Sequence, residues 1–219
     1  MRTWLWNRGL LLANLGLFFL FFVGMAVFGF NVYNSDQSEH GGVPVSFARY
    51  LFTGDFVEAT FENWESEFLQ MGMYVVLTAY LVQKGSSESR PLADVDQDED
   101  PRTVRDLTDV PGPVRRGGWV LKLYEKSLAV MFFVLFLGSF AGHALGGARA
   151  YSAEQLDHGQ PPVTTLEYLG TSQFWFESMQ NWQSEFLAIA VMVGASVYLR
   201  YRGSAESKRV AAPHASTGA

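Results

Sequence analysis

Two carboxylates, Glu67 and Glu185, stand in one polar phrase written twice, NWESEFL at 63–69 and NWQSEFL at 181–187, each time at the entrance of an apolar run. A carboxylate drawn toward hydrocarbon is costly, and where one is kept it usually faces a bundle interior or a wet cavity and handles an ion or a proton. Asn63, Asn181, Ser66 and Ser184 supply hydrogen-bonding groups around such a site. The competing account is structural. In it the carboxylates sit in a first helical turn, favoured by the helix dipole at the headgroup level. Asn63 and Asn181 are then helix N-caps or hydrogen-bonding groups inside a bundle, and Trp64 and Trp182 interface anchors. Glu65 is answered by Gln183, so the comparison of the two copies sets it aside.

A second doubled constellation reads Tyr33, Asp36, Gln37, His40 and then Tyr151, Glu154, Gln155, His158. The spacing i, i+3, i+4, i+7 places each set on one helical face. Two histidines with flanking acids, including Glu39 and Asp157, are able to hold a divalent metal or to titrate as an external pH switch. The alternative is a polar seam packing two helix extensions together. His143 is answered by Met25 and stands unrepeated, which suits a histidine hydrogen-bonded inside a helix bundle. Gly24, Gly138, Gly142, Gly146 and Gly147 fit close helix contacts.

The elements that must carry these residues are apolar blocks. Leu10 to Phe30 and Leu128 to Ala148 each hold about 21 residues, enough to cross a hydrocarbon core of about 30 Å. The blocks at Phe68–Val82 and Phe186–Leu199 are shorter and need the polar phrase before them to span. The first block exceeds a signal-peptide core and is read as a retained anchor. Cysteine is absent, so disulfides, thiolate metal sites and cysteine catalysis are excluded.

Sliding the chain against itself by 118 positions aligns about 23 identical residues out of 58 between 33–90 and 151–208, without a gap. The expected architecture is therefore all-α and integral to a membrane. Four transmembrane helices come from two parallel tandem repeats of a two-helix unit, with a pseudo-twofold axis along the membrane normal. Residues 1–90 form the first repeat, with spans at about 10–32 and 64–83, and 118–208 the second, with spans at about 127–149 and 182–200. Residues 91–117 read as a disordered acidic linker and 209–219 as a disordered tail. Placing both termini and the linker in the cytoplasm collects about 14 of the 16 basic residues there. After each long helix, GG or GQPP marks a stop, and a short element follows, opened by Ser46 or by a Thr164–Glu167 capping box.

The doubled NW[EQ]SEFL entrances, the repeated GS[SA]ES exits at 85–89 and 203–207 and the whole-chain layout resemble a family of bacterial inner-membrane proteins grouped by a domain of unknown function. That resemblance implies a bacterial inner-membrane location; it supplies no activity, ligand or catalytic residue.

The function expected is cation or proton transport in a channel-like manner, with paired carboxylates at the outer mouth and an acidic outer surface that concentrates cations. The alternative is a non-transporting sensor or scaffold that responds to external pH or cations. No nucleophile motif, phosphate loop or metal triad points to an enzyme, and no cofactor is expected. The partners expected are the lipid bilayer, cations or protons and further copies of the chain, with no nucleic acid.

Overall fold

In the computed structural model the described residues are 2–91, 100–101, 103 and 110–218. Most of the linker expected at 91–117 lies outside them. The described chain is helical, in the order α1 (Arg2–Trp6), α2 (Gly9–Glu39), α3 (Phe47–Tyr50), α4 (Gly54–Tyr80), α5 (Gly112–Arg116), α6 (Gly118–Tyr124), α7 (Ser127–Asp157), α8 (Thr165–Leu169) and α9 (Ser172–Ala195). α2 and α7, of 31 residues each, extend about 46 Å at 1.5 Å per residue. Both are long and apolar enough to cross a membrane, and only 6 % and 17 % of their apolar windows are buried by protein. By length and composition, apolar helices this bare suit a membrane crossing.

The chain divides into two compact units, Met1–Thr60 with Gly142–Gly170, and Phe61–Ala141 with Thr171–Ala219. In the first, each long helix ends at a left-handed glycine, Gly41 (φ 76°) or Gly159 (φ 70°), 118 positions apart. The returning segment is then clamped to the helix just left. The Asn34 side chain exchanges two hydrogen bonds with the Val45 backbone, at 2.8 and 3.1 Å. Ser152 does the same with Val163, at 3.0 and 3.1 Å. Ser46 caps α3, and the expected Thr164–Glu167 capping box opens α8 with both of its bonds formed. These short helices deliver Tyr50 and Tyr168, both buried, and each ring packs on the tyrosine one helix back, Tyr33 at 5.5 Å and Tyr151 at 5.6 Å.

In the second unit the GS[SA]ES exits are built turns. Gly85 and Gly203 both hold φ near 86°, a conformation that favours glycine. The next serine, Ser86 or Ser204, accepts from the backbone N–H of Glu88 or Glu206, each at 3.1 Å. The second serine, Ser89 or Ser207, accepts from the backbone of Gln83 (2.8 Å) or Tyr201 (2.9 Å). The tail expected to be disordered is tied to the first of these turns. Gly85 N–H donates to Thr217 Oγ1 at 3.0 Å and Gly218 N–H to the Ser86 carbonyl at 2.9 Å. The Lys208 ammonium, 2 % exposed, donates to the carbonyls of Gly85, His214 (3.0 Å) and Ser216 (2.9 Å). A buried ammonium satisfied by carbonyls gives this polar segment an anchor that its composition does not reveal.

One expectation is corrected here. Asn63 and Asn181 are not N-caps, because α4 begins at Gly54 and α9 at Ser172. The caps are Thr53 and Thr171, whose hydroxyls accept from the N–H of Phe56 (3.4 Å) and Phe174 (3.3 Å). Nothing between cap and phrase breaks a helix, so each phrase lies inside one. There Ser66 and Ser184 bond back to the carbonyls of Asn63 and Asn181, both at 2.8 Å.

Candidate functional site

The second unit carries a row of polar side chains along one side of α4. Glu62, Ser66, Gln70 and Tyr74 recur every fourth residue, with Glu65 beside them, over about 18 Å of helix. Near the start of the row, Asn181 donates to Glu62 at 2.6 Å. Glu65, fully buried, accepts from Trp182 Nε1 at 3.0 Å and from Ser178 Oγ at 3.3 Å. Ser66 is 2 % exposed and Gln70, also buried, donates to the Glu185 backbone carbonyl at 2.8 Å. At the far end Tyr74 OH donates to Glu88 Oε2 at 2.8 Å. Glu88 in turn lies beside Glu206 and, with some burial, pushes that carboxyl above the usual carboxylate range.

The residues singled out from sequence fall around this row unevenly. Glu67 is exposed and Glu185 half-buried, close enough for their charges to interact. Asn63 and Ser184 are exposed, whereas Asn181 is half-buried on Glu62. The carboxylate taken inward is Glu65, which the comparison of copies had set aside. Helix rotation explains this: two residues along an α-helix turn a side chain through about 200°, so Glu65 and Glu67 cannot share a face.

The outer doubled face sits in the first unit. Tyr33, Gln37, Tyr151 and Gln155 are half-buried, while Asp36, His40, Glu154 and His158 are exposed. Each histidine turns back on its own helix: His40 Nδ1 lies 3.0 Å from the Asp36 carbonyl and His158 Nδ1 2.8 Å from that of Glu154. The Asp36 carbonyl, then its carboxylate at 3.2 Å, raises the His40 pKa above 6.5. Among the described residues, neither histidine belongs to a group of three metal-ligating side chains.

The first unit also holds a polar cluster that the sequence reading did not anticipate. Tyr168, with no exposed surface, donates its hydroxyl to Glu58 Oε1 at 2.9 Å. His143 on α7, equally buried, brings a ring nitrogen within 4.8 Å of a Glu58 carboxylate oxygen. Close helix approach makes the cluster: a Cβ on Gly146 would lie 2.5 Å from the Glu58 backbone nitrogen, and one on Gly54 2.5 Å from that of Ala150. Of the glycines read as packing positions, Gly146 and Gly147 serve that purpose here, whereas a Cβ on Gly24 or Gly138 would meet nothing within 4 Å. His143 is fully buried, and its acidic neighbour carries no repeat signal, since Phe176 stands at the position matching Glu58.

No curated protein and no solved structure matches this chain. The family described as Domain of unknown function (DUF6766) matches residues 1–219, the whole chain, and the chain belongs to it.

Proposed function

We propose that this member of the DUF6766 family is a membrane protein that passes protons, or small cations, along the polar row of α4. The row is what supports the reading. A fully buried carboxylate in a helix flanked by lipid-suited helices is a functional residue by default, and proton relays in membranes are built from acids joined by hydrogen-bonding side chains. Glu65 is the central relay group, Glu62 with Asn181 its outer neighbour, and Tyr74, Glu88 and Glu206 the cytoplasmic outlet. Glu67 and Glu185, exposed and half-buried beside the row, draw cations toward it. On this reading four helices, α2, α4, α7 and α9, span the bilayer as two tandem repeats with both termini cytoplasmic. The matched clamps and exit turns 118 positions apart support the duplication.

The test is proton flux in proteoliposomes carrying an internal pH dye and an imposed pH gradient. Glu65→Gln is expected to lower the rate at least about tenfold, and Glu67→Gln with Glu185→Gln by less, because exposed groups gather ions rather than relay them. Absence of proton and cation flux in the wild-type protein, or flux in Glu65→Gln equal to wild type, rejects the proposal.

A further inference from the structure

The Glu58–His143–Tyr168 cluster is not used by the relay, and its chemistry differs from that of the relay. We infer that it is a binding site for a divalent first-row transition metal such as Zn²⁺ or Mn²⁺, with Glu58 and His143 as protein ligands and Tyr168 orienting the carboxylate. The inference is independent of the transport reading.

Donor type comes first. An imidazole nitrogen with a carboxylate oxygen is a set that suits Zn²⁺, Mn²⁺ and Fe²⁺ rather than Ca²⁺ or Mg²⁺. Distance agrees. Metal–nitrogen and metal–oxygen bonds of about 2.0–2.2 Å hold two ligands of one ion no farther apart than about 4.3 Å. In a tetrahedral site the two lie about 3.4 Å apart, and the Glu58 and His143 ligand atoms lie within 4.8 Å of one another, so a side-chain adjustment of at most about 1.4 Å closes the site. Support comes from Tyr168, whose hydroxyl at 2.9 Å is the kind of outer hydrogen bond that aims a ligating carboxylate.

The backbone is shaped to present these groups. Gly147 follows His143 by one helical turn and so shares its face. A Cβ there would lie 2.5 Å from the Tyr168 phenol and 2.7 Å from Glu58 Oε1, so the tyrosine–carboxylate pair rests directly on bare helix.

The matched positions elsewhere in the unit make a packing explanation insufficient. Gly29 and Tyr50 stand 118 positions before Gly147 and Tyr168, and Tyr50 likewise lies directly over Gly29. That arrangement is completed by Ala26, Phe56, Phe22 and Met25, all apolar. The glycine–tyrosine contact therefore needs no histidine beside it and no acid hydrogen-bonded to the tyrosine, since Asp55 acts on Tyr50 only through its charge. Met25 occupies the position answering His143, and placing an imidazole and a carboxylate there instead adds desolvation cost without adding packing. Bonds within the cluster, Tyr168 to Glu58 among them, offset part of that cost, and an ion held by both groups offsets more.

The experiment uses the full-length chain in detergent, stripped with a chelator and titrated with Zn²⁺ or Mn²⁺ by calorimetry, with bound metal counted by elemental analysis. About one ion per chain is expected. His143→Met, which installs the residue found at 25, and Glu58→Gln should each weaken binding about a hundredfold, and Tyr168→Phe about tenfold. Glu65→Gln should bind as the wild type does, whatever its flux, which separates this site from the relay. Circular dichroism and a single gel-filtration peak establish that each variant is folded. Should a variant not fold, pulsed EPR of Mn²⁺ bound to the wild type decides, because one coordinated imidazole imposes a ¹⁴N coupling. A wild-type chain that takes up neither ion, an Mn²⁺ signal without nitrogen coupling, or folded His143→Met or Glu58→Gln binding as tightly as wild type overturns the inference.

Discussion

Tyr50 and Tyr168 are delivered by short capped helices at matching positions, lie over Gly29 and Gly147, and each pack on a tyrosine of the preceding long helix. Around Tyr50 the packed side chains are aromatic and aliphatic, with Phe30 at 6.0 Å and Phe56 at 5.3 Å between ring centres, and the one acid that acts on it, Asp55, does so only through its charge. Beside Tyr168 is the Glu58 carboxylate, which the His143 imidazole, one turn before Gly147, approaches within 4.8 Å. A single packing device thus has a dry form and a polar form in one unit. What differs is the residues that no comparison of the two halves pairs by type: Met25 against His143, and Glu58 against Phe176. Shared positions hold the backbone in place, and the unshared ones carry the chemical difference.

Overpacking the two glycines should separate the forms most. Gly147→Ala is expected to cost about 3 kcal/mol in equilibrium unfolding from mixed micelles, the upper end for a forced core insertion. There the new methyl meets both the ring and hydroxyl of Tyr168 and the Glu58 carboxylate. Gly29→Ala should cost about 1 kcal/mol, because chiefly the hydroxyl end of Tyr50 has to move. Equal costs would show that the polar neighbours add no constraint.

Removing the hydroxyls is a milder probe. Tyr168→Phe withdraws a donor from a carboxylate and should cost about 2 kcal/mol, within the range for hydrogen bonds to charged groups. Tyr50→Phe, in apolar surroundings, should change stability by less than about 1 kcal/mol, read by the same unfolding assay. A larger loss for Tyr50→Phe would invert the comparison.

The smallest effect belongs to the outer rim of the same unit. His40 is raised above 6.5 by the Asp36 carbonyl and carboxylate, so its protonated form is the one favoured by folding. Any stability it adds is complete below the unfolded value and fades as pH rises through the raised folded one. An NMR titration should place His40 above the ordinary histidine range, and Asp36→Asn should lower it while leaving part of the shift from the carbonyl. A value unmoved by Asp36→Asn assigns the shift to the backbone bond alone.

Much of the local structure was legible in order. The long apolar helices, the glycine stops after His40 and His158 and the Thr164–Glu167 box follow from short-range rules and are where those rules put them. Reading the polar phrase as a helix entrance failed because Thr53 and Thr171, two further repeated residues, had already opened the helices. With the start placed there, Glu58, Glu62 and Glu65 stand at i, i+4 and i+7, a stripe of acids that helical periodicity alone could have found. Glu88 and Glu206 were visible inside the repeated exits, but their proximity was not.

By itself the sequence determined the helices, their caps and stops, and the recurrence of the exit turns, because these depend on residues within a few positions of one another. Tertiary structure alone decided which carboxylates are withdrawn from water. Burial of Glu65 rather than Glu67, and the meeting of Glu58 with His143 and Tyr168, depend on helix rotation and on glycines that let backbones touch. Those are properties of segments far apart in the chain, and a comparison of one half with the other is blind to any site built from residues that the halves do not share.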